Sequence, residues 1–371
     1  MNKILVLGTG NAQKDLIQYC KDKGMYVIAA SNAAGGAAQE FADEFCLNDI
    51  VDAEAIKKLA VDKKADIIYS IGSDVAMPTV TGVSAELKLP CFVSYDTALV
   101  CNHKNMLREL LNKKGVKGNI PYQMMEDAGE EIKVPFPAVI KPSDSQGQRG
   151  VMRVENEDEV RKNFEHALKY SREKKVVLEQ YIDGVEISVN VFLEKGELKF
   201  YLISDRGIWD EYPGGLIHEH FIPSRYENDE LVAGRIKELV VNVLDAIGLT
   251  DGPGYFQIKV DKDGIPYLIE VTPRLDGCHM WRLIKHSTGV DLLDASVKLL
   301  TGGTFTPPEY KVVPHSLEFF CGKPGTVFTK DNHIVPDNEF ISWYYEDGET
   351  IKSMNGYFEK CGYVIKRSAG K

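Results

Sequence analysis

Residues 139–151 read VIKPSDSQGQRGV, a short apolar strand that ends at Lys141 and leads into a polar loop with two glycines. Glycine and serine let backbone N–H groups approach phosphate oxygens without Cβ clashes, and the lysine adds a positive charge. The order of residues is not that of a Walker A loop. The stretch therefore predicts a phosphate-binding hairpin, with a flexible hairpin that binds nothing as the alternative.

A second stretch downstream suits the base and sugar of a nucleotide. Residues 177–186 read VLEQYIDGVE, so that an apolar strand runs into Glu179 and Glu186 opens the next strand. Glu179 can accept a hydrogen bond from an adenine amino group, and Glu186 can accept from ribose hydroxyls. The backbone of residues 180–182 could bind the remaining edge of the ring. The alternative is two surface glutamates that flank a turn.

A third pattern, near residues 254–274, indicates a cation site. Gln257 lies on one predicted strand, and the next strand ends in LIEVTPR, residues 268–274. If these strands are antiparallel neighbours, Gln257 and Glu270 lie side by side and offer the oxygen ligands that Mg²⁺ shares with phosphates. Arg274 could then bind a carboxylate or phosphate bidentately. An ordinary surface hairpin is the alternative.

Two further groups carry less information by themselves. Lys104 lies near the start of a basic amphipathic helix that begins at Asn102, where a solvated charge is the plain interpretation. His218 and His220 are two residues apart, so a strand would place both on one face. We expect them to contact phosphate or substrate, with surface histidines as the alternative. Zinc is disfavoured because no further ligand has suitable spacing.

The N-terminal hundred residues predict an open parallel α/β unit. A strand at Lys3–Leu7 is followed by Gly8-Thr9-Gly10, an amphipathic helix and a second strand. A nicotinamide dinucleotide site is disfavoured because Gln13 occupies the third glycine position. The second strand also lacks the acidic residue that binds a ribose hydroxyl.

In their joint order, over roughly residues 3 to 300, these segments resemble the ATP-grasp superfamily. The resemblance is to the branch of the carbamoyl-phosphate synthetase large subunit, biotin carboxylase and L-amino-acid ligases. It implies an ATP-grasp fold, α/β and α+β in class, with an N-terminal open parallel α/β domain. It also implies roles for individual residues: Lys104 and Lys141 at the ATP phosphates, Ser145 to Gly150 (with Gly147) as a mobile phosphate lid, Glu179, Tyr181 and Ile182 at adenine, Glu186 at ribose, and Gln257 and Glu270 at the metal.

The sequence departs from the family pattern at one metal position. Thr272 stands where the family has an asparagine, and a hydroxyl is a poorer magnesium ligand than an amide carbonyl. The residues after Arg274, LDGCH, match no substrate signature. A catalytically inactive ATP-binding regulatory protein is therefore kept as an alternative.

The function expected from the resemblance is an ATP-dependent, ADP-forming carboxylate–amine ligase. ATP and Mg²⁺, with Mn²⁺ as a substitute, are the expected cofactors, and a small carboxylate and an amine such as an amino acid are the substrates. Arg274, Lys141 and His220 are the expected catalytic residues, with His218 at the phosphates or substrate. A bicarbonate-activating carboxylase of the same superfamily is the alternative enzyme.

Composition adds limits on partners and location. The formal charge is −11, which argues against nucleic acid as a partner. No apolar run is long enough for a membrane span, and the seven scattered cysteines include no CxxC pair, so we expect a cytoplasmic protein with reduced thiols. The family often forms dimers, so a homodimer is compatible. Three domains are predicted: 1–98, 99–303 with a lid at about 115–185, and a strand-rich segment at 304–371.

Overall fold

The structure is a computed structural model, and it describes residues 2–145, 149–209, 216–333, 335, 337–353 and 358–368. Within them, none of the helices has the length and apolar character to cross a membrane. All seven cysteines are free thiols.

The N-terminal part is the predicted open parallel α/β unit. Its four parallel strands lie in the order β3-β2-β1-β4. The strands and helices up to residue 113 are β1 (Lys3–Leu7), α1 (Asn11–Asp22), β2 (Tyr26–Ser31), β3 (Glu44–Leu47), α2 (Ala53–Lys63), β4 (Ile67–Tyr69), α3 (Met77–Leu87), α4 (Tyr95–Asn102) and α5 (Lys104–Lys113). The helix predicted from Asn102 starts at Lys104 because His103 has an extended backbone conformation between α4 and α5.

A small antiparallel sheet follows, in the order β5-β8-β6-β7. Its elements are β5 (Tyr122–Met125), β6 (Ala138–Pro142), β7 (Met152–Val154), α6 (Glu157–Lys169) and β8 (Val176–Gln180). Helix α6 packs its apolar side on this sheet, with Phe164 in the core they share. The phosphate-loop strand β6 and the adenine-hinge strand β8 are neighbours, so Val139 lies opposite Glu179.

The remaining strands form one antiparallel sheet of eight, in the order β13-β12-β9-β10-β11-β14-β16-β15. Its elements are β9 (Gly184–Glu194), β10 (Glu197–Ile208), β11 (Ile217–Ile222), α7 (Glu230–Ile247), β12 (Gly252–Asp261), β13 (Pro266–Thr272), α8 (Met280–Thr288), α9 (Leu292–Leu300), β14 (His315–Gly322), β15 (Asn338–Trp343) and β16 (Glu359–Arg367). Lys195 and Gly196 form the tight connection between the antiparallel strands β9 and β10.

This large sheet extends across the predicted boundary at residue 303. Strand β11 pairs with β14 in antiparallel register, so that His220 lies opposite Leu317. The C-terminal strands thus extend the sheet that carries β9 to β13. The division into three domains stays a prediction.

Candidate active site

A buried group of three charged residues lies between the small and large sheets. The Glu179 carboxylate, only 3% exposed, receives the Lys141 ammonium at 2.5 Å and the Arg108 Nε at 3.0 Å. Arg108 also donates through Nη2 to the Ile269 carbonyl of β13, at 3.0 Å. Arg108 therefore joins the small sheet to the edge of the large one.

Two effects compete at this group. Burial would raise the pKa of Glu179, but the charges of Arg108 and Lys141 outweigh it and lower the pKa to about 2. Burial lowers the pKa of Lys141 to about 8; Glu179 opposes this shift, whereas Arg108 and Lys104 add to it. Two cations thus share one carboxylate, which leaves a surplus positive charge suited to an anionic ligand.

The polar loop after β6 is held at its start. Lys104 donates its ammonium to the Ser145 carbonyl at 2.7 Å, and its backbone N–H donates to the Ser143 carbonyl at 3.1 Å. Lys104 thus contacts the loop predicted to cover phosphate. At the loop's far end Gly150 has φ +74°, and a Cβ there would lie 2.8 Å from the Tyr170 ring. Gly147 lies outside the described residues.

The predicted adenine hinge follows β8 and lies next to the large sheet. The Tyr181 backbone N–H donates to the Pro137 carbonyl at 2.9 Å, and cations of Arg153 and Lys259 lie over the Tyr181 ring. Lys259 of β12 donates to the Ile182 carbonyl at 3.1 Å. The connection between the two sheets is thereby fixed in position.

The two strands predicted to carry the cation site are antiparallel neighbours, whereas their binding of a cation stays a prediction. Gln257 of β12 lies directly opposite Glu270 of β13. The Gln257 amide donates to Glu186 Oε1 at 2.5 Å, which leaves its own Oε1 to face a cation. Thr272 is 2% exposed, and its hydroxyl has no hydrogen-bond partner within the described ranges. An unpaired buried hydroxyl beside a carboxylate fits a bound group that this structure does not contain.

Glu186 has two side-chain partners in the large sheet. Its carboxylate is bound by Gln257 and by the Arg206 guanidinium, whose Nε lies 2.5 Å from Oε1. Glu186 therefore lies beside the predicted metal position, and Arg206 is a neighbour that the sequence did not indicate. The assignment of Glu186 to ribose binding remains a prediction.

Arg274 is almost fully buried and contacts the N-terminal unit. Its Nη2 lies 2.5 Å from Asp74 Oδ1, and its Nη1 donates to the Leu275 carbonyl. The segment after Arg274 also lies close to Gly72 of the N-terminal unit. A Cβ atom added to Gly72 would lie only 3.2 Å from the Gly277 Cα, so the two backbones approach each other closely. The loop that matched no known signature is thus held between the two parts of the protein.

The two histidines of β11 have different surroundings. His218 stacks on Trp209, with ring centroids 4.3 Å apart, and its Nε2 lies 3.5 Å from Glu318. His220 lies opposite Arg206 and is fully buried, and neither ring nitrogen has a hydrogen-bond partner in the part of the chain that the structure describes. Burial, with the charges of Arg206 and Lys360, lowers the pKa of His220 well below its usual range, so the ring is uncharged.

His220 belongs to a buried polar cluster. Ligand atoms of His220, Asp276 and Cys278 lie within 4.8 Å of one another. The Lys360 ammonium is 3.6 Å from the Cys278 sulfur. Both Asp276 and Cys278 come from the LDGCH segment, so this segment supplies two of the three residues of the cluster.

The sequence missed several of the residues that meet here. Arg108 could have been found, because it lies four residues after Lys104 and therefore on the same helix face. No local signal indicated the other four: Asp74, Arg206, Tyr255 and Lys360. They come from distant strands and loops, and Arg206 donates to the Tyr255 hydroxyl at 2.9 Å.

The chain is similar to known proteins in sequence and in fold. Residues 134–281 match the family model of the ATP-grasp domain. The chain is 28% identical over 290 residues to a formate-dependent phosphoribosylglycinamide formyltransferase of Bacteroides thetaiotaomicron, covering 74% of this chain and 71% of that protein. It is 27% identical over 305 residues to a phosphoribosylamine–glycine ligase of Methanocaldococcus jannaschii, covering 73% of this chain and 67% of that protein.

The fold matches solved structures over nearly its whole length. One is the biotin carboxylase domain of the Hydrogenobacter thermophilus 2-oxoglutarate carboxylase, in complex with MgADP and bicarbonate. Its TM-score is 0.77 at 20% identity, with 99% of this chain and 86% of that chain covered. The predicted ATP-grasp fold and the resemblance to that superfamily are confirmed.

Proposed function

Because this chain carries an ATP-grasp domain, we propose that it is an ATP-dependent, ADP-forming ligase that joins a carboxylate to an amine through an acyl phosphate. The observation that carries the proposal is the buried Lys141–Glu179–Arg108 group, whose surplus positive charge faces the loop after β6. A triphosphate is the ligand that such a charge favours.

Mg²⁺ (or Mn²⁺) fits the oxygen donors at the end of β13. Gln257 and Glu270 would hold it, with the orphaned Thr272 hydroxyl beside them. When bound, the cation would neutralise negative charge on the phosphates. A threonine at this position is therefore compatible with an active enzyme, which weakens the alternative of an inactive regulatory protein.

The reaction has two steps. A substrate carboxylate oxygen attacks the γ-phosphorus, ADP leaves, and an acyl phosphate forms. The amine then attacks the acyl carbon, inorganic phosphate leaves, and the amine loses a proton. Lys141 and Lys104 hold the phosphates, and positioning together with charge neutralisation supplies most of the rate enhancement.

Arg274 and His220 are the two groups that we assign to the carboxylate substrate and its acyl phosphate. Arg274 is held by Asp74 on one side, and its Nε has no partner among the described residues, so it can donate to a carboxylate or an acyl phosphate. His220 is uncharged and contributes as a hydrogen-bonding imidazole. An amino acid is the first choice of substrate, because Arg274 offers a cation to its carboxylate.

A substrate screen tests the proposal. Phosphate release is measured with ATP, Mg²⁺ and a panel of small carboxylates, each with and without a panel of amines. We expect ADP and phosphate to form only when a carboxylate is present, and an amide to accumulate only when an amine is added. Turnover with bicarbonate and one acceptor would instead identify a carboxylase, and ATP binding without turnover would refute the ligase.

The pH dependence of ATP use follows from Lys141. Its ammonium is charged below its pKa, which burial lowers to about 8, so the charge is lost as the pH rises through that value. We expect kcat/KM for ATP to fall above about pH 8, since this parameter reports the free enzyme. Profiles between about pH 6 and about pH 10 measure the effect. In Lys141→Arg the descending limb should disappear from that range; an unchanged limb would assign it to another group.

A further inference from the structure

A second polar cluster lies outside the proposed active site, where α8, β14 and β15 meet. His286 Nδ1 is 3.3 Å and His315 Nε2 is 3.0 Å from the same oxygen, Oε2 of Glu339. One ligand atom from each of the three residues falls within 4.8 Å of the others. Two imidazoles and a carboxylate that converge in this way form a set of donors that transition metals favour.

The tautomer of His315 strengthens this interpretation. Its Nδ1 lies 2.9 Å from the Val313 carbonyl, which can only accept, so Nδ1 carries a hydrogen. Nε2 is therefore the ring nitrogen directed at Glu339, and it is the atom of His315 that is placed to bind a metal.

The distances and outer contacts also fit a metal. Two ligand atoms that each lie about 2.05 Å from Zn²⁺ at a tetrahedral angle are about 3.3 Å apart. This is close to the distances of 3.3 Å and 3.0 Å from Glu339 Oε2 to the nitrogens of His286 and His315. Arg367 donates Nε to Glu339 Oε1 at 2.7 Å, which orients the carboxylate and leaves Oε2 for the metal. The Val313 carbonyl orients His315 in the same manner, as outer contacts do in metal sites.

The His220–Asp276–Cys278 cluster is a weaker candidate for a metal. Lys360 lies 3.6 Å from the Cys278 sulfur, and Arg206 lies opposite His220. Both Asp276 oxygens already accept backbone N–H groups. The occupied Asp276 oxygens disfavour a further cation there, and the cluster includes His220 of the proposed active site.

We propose that His286, His315 and Glu339 bind one Zn²⁺ or a similar divalent transition metal, with water completing the coordination. The metal links the end of α8 to β14 and β15. Helix α8 begins directly after the LDGCH segment, so the site stabilises the element that follows Asp276 and Cys278 in the chain. The proposal does not depend on the identity of the substrates.

Zinc titration of the full chain tests it. Chelator-treated protein in excess MgCl₂, which occupies oxygen-rich sites, is titrated with ZnCl₂ by calorimetry, and its Tm is measured with and without zinc. We expect one Zn²⁺ per chain and a higher Tm, because a ligand that binds only the folded state stabilises it. His286→Ala and Glu339→Gln, both at partly exposed side chains, should each weaken binding at least about tenfold.

Two controls locate the metal. His166→Ala removes an exposed histidine of α6 and should leave zinc binding unchanged. Cobalt in place of zinc should give visible absorption without a thiolate charge-transfer band. The proposal is overturned by an absence of zinc binding, by binding that His286→Ala and Glu339→Gln leave unchanged, or by a thiolate band that Cys278→Ala abolishes.

Discussion

Replacing Lys141 with alanine is expected to lower carboxylate-dependent ADP formation by about 10³-fold, because a preorganised positive charge at the phosphates is lost. The side chain is almost fully buried and lies 2.5 Å from Glu179. Water cannot easily replace its charge at such a position. Initial rates of ADP release at saturating carboxylate, compared between wild type and variant, measure the effect.

The fold should survive this substitution better than the activity does. In Lys141→Ala the Glu179 carboxylate keeps the Arg108 guanidinium at 3.0 Å, so no buried charge is left without a partner. Lys141→Arg keeps the charge, but its planar head cannot reproduce the position of an ammonium, and we expect partial activity. Lys262→Ala is the matched control, since the Lys262 side chain is 86% exposed. Undiminished ADP release in a Lys141→Ala, Glu270→Ala double variant would refute the assigned site.

Local patterns in the sequence were enough to predict those parts of the site that lie on strands joined by short turns. Gln257 and Glu270 lie on strands joined by a tight turn, so their pairing followed from the alternation of residues and from the turn. The parallel N-terminal sheet followed from alternating strands and helices.

Local sequence patterns could not predict the contacts between elements that are distant in the chain. The Arg108–Glu179 pair joins residues 71 apart, and the Asp74–Arg274 pair joins the N-terminal unit to the end of β13. Such pairs depend on how whole sheets pack, and one sequence carries no local signal for that. Alternation placed His218 and His220 on one face, but it could not foresee that only His220 would be buried opposite Arg206.

The balance of charge between Glu179 and its two cations leads to the second large expected effect, a loss of stability. Glu179→Gln should destabilise the protein by about 3–5 kcal/mol, since Arg108 and Lys141 would remain buried without their anion. All three side chains are at most 7% exposed, so solvent screens the interaction poorly. Urea unfolding of wild type and variant, analysed for the midpoint at constant slope, gives the difference.

The same buried group predicts how the free energy of unfolding depends on pH in the acid range. The pKa of Glu179 is about 2 in the folded protein, against about 4.5 for a glutamate in the unfolded chain. A lowered folded-state pKa gives stability that is complete above the unfolded value and is lost as the pH falls through the folded one. Wild type should therefore lose stability between about pH 4.5 and about pH 2, and Glu179→Gln should lose less over that interval.

A matched variant separates the buried pair from an ordinary surface pair. Glu155 lies 2.8 Å from Arg153, with both side chains about half exposed, so Glu155→Gln should change stability by less than about 1 kcal/mol. Millimolar ATP should raise the Tm of Glu179→Gln more than that of wild type, because the triphosphate replaces the missing anion beside Lys141 and Arg108. Equal losses of stability in the two glutamine variants would show that Glu179 does not balance the two cations.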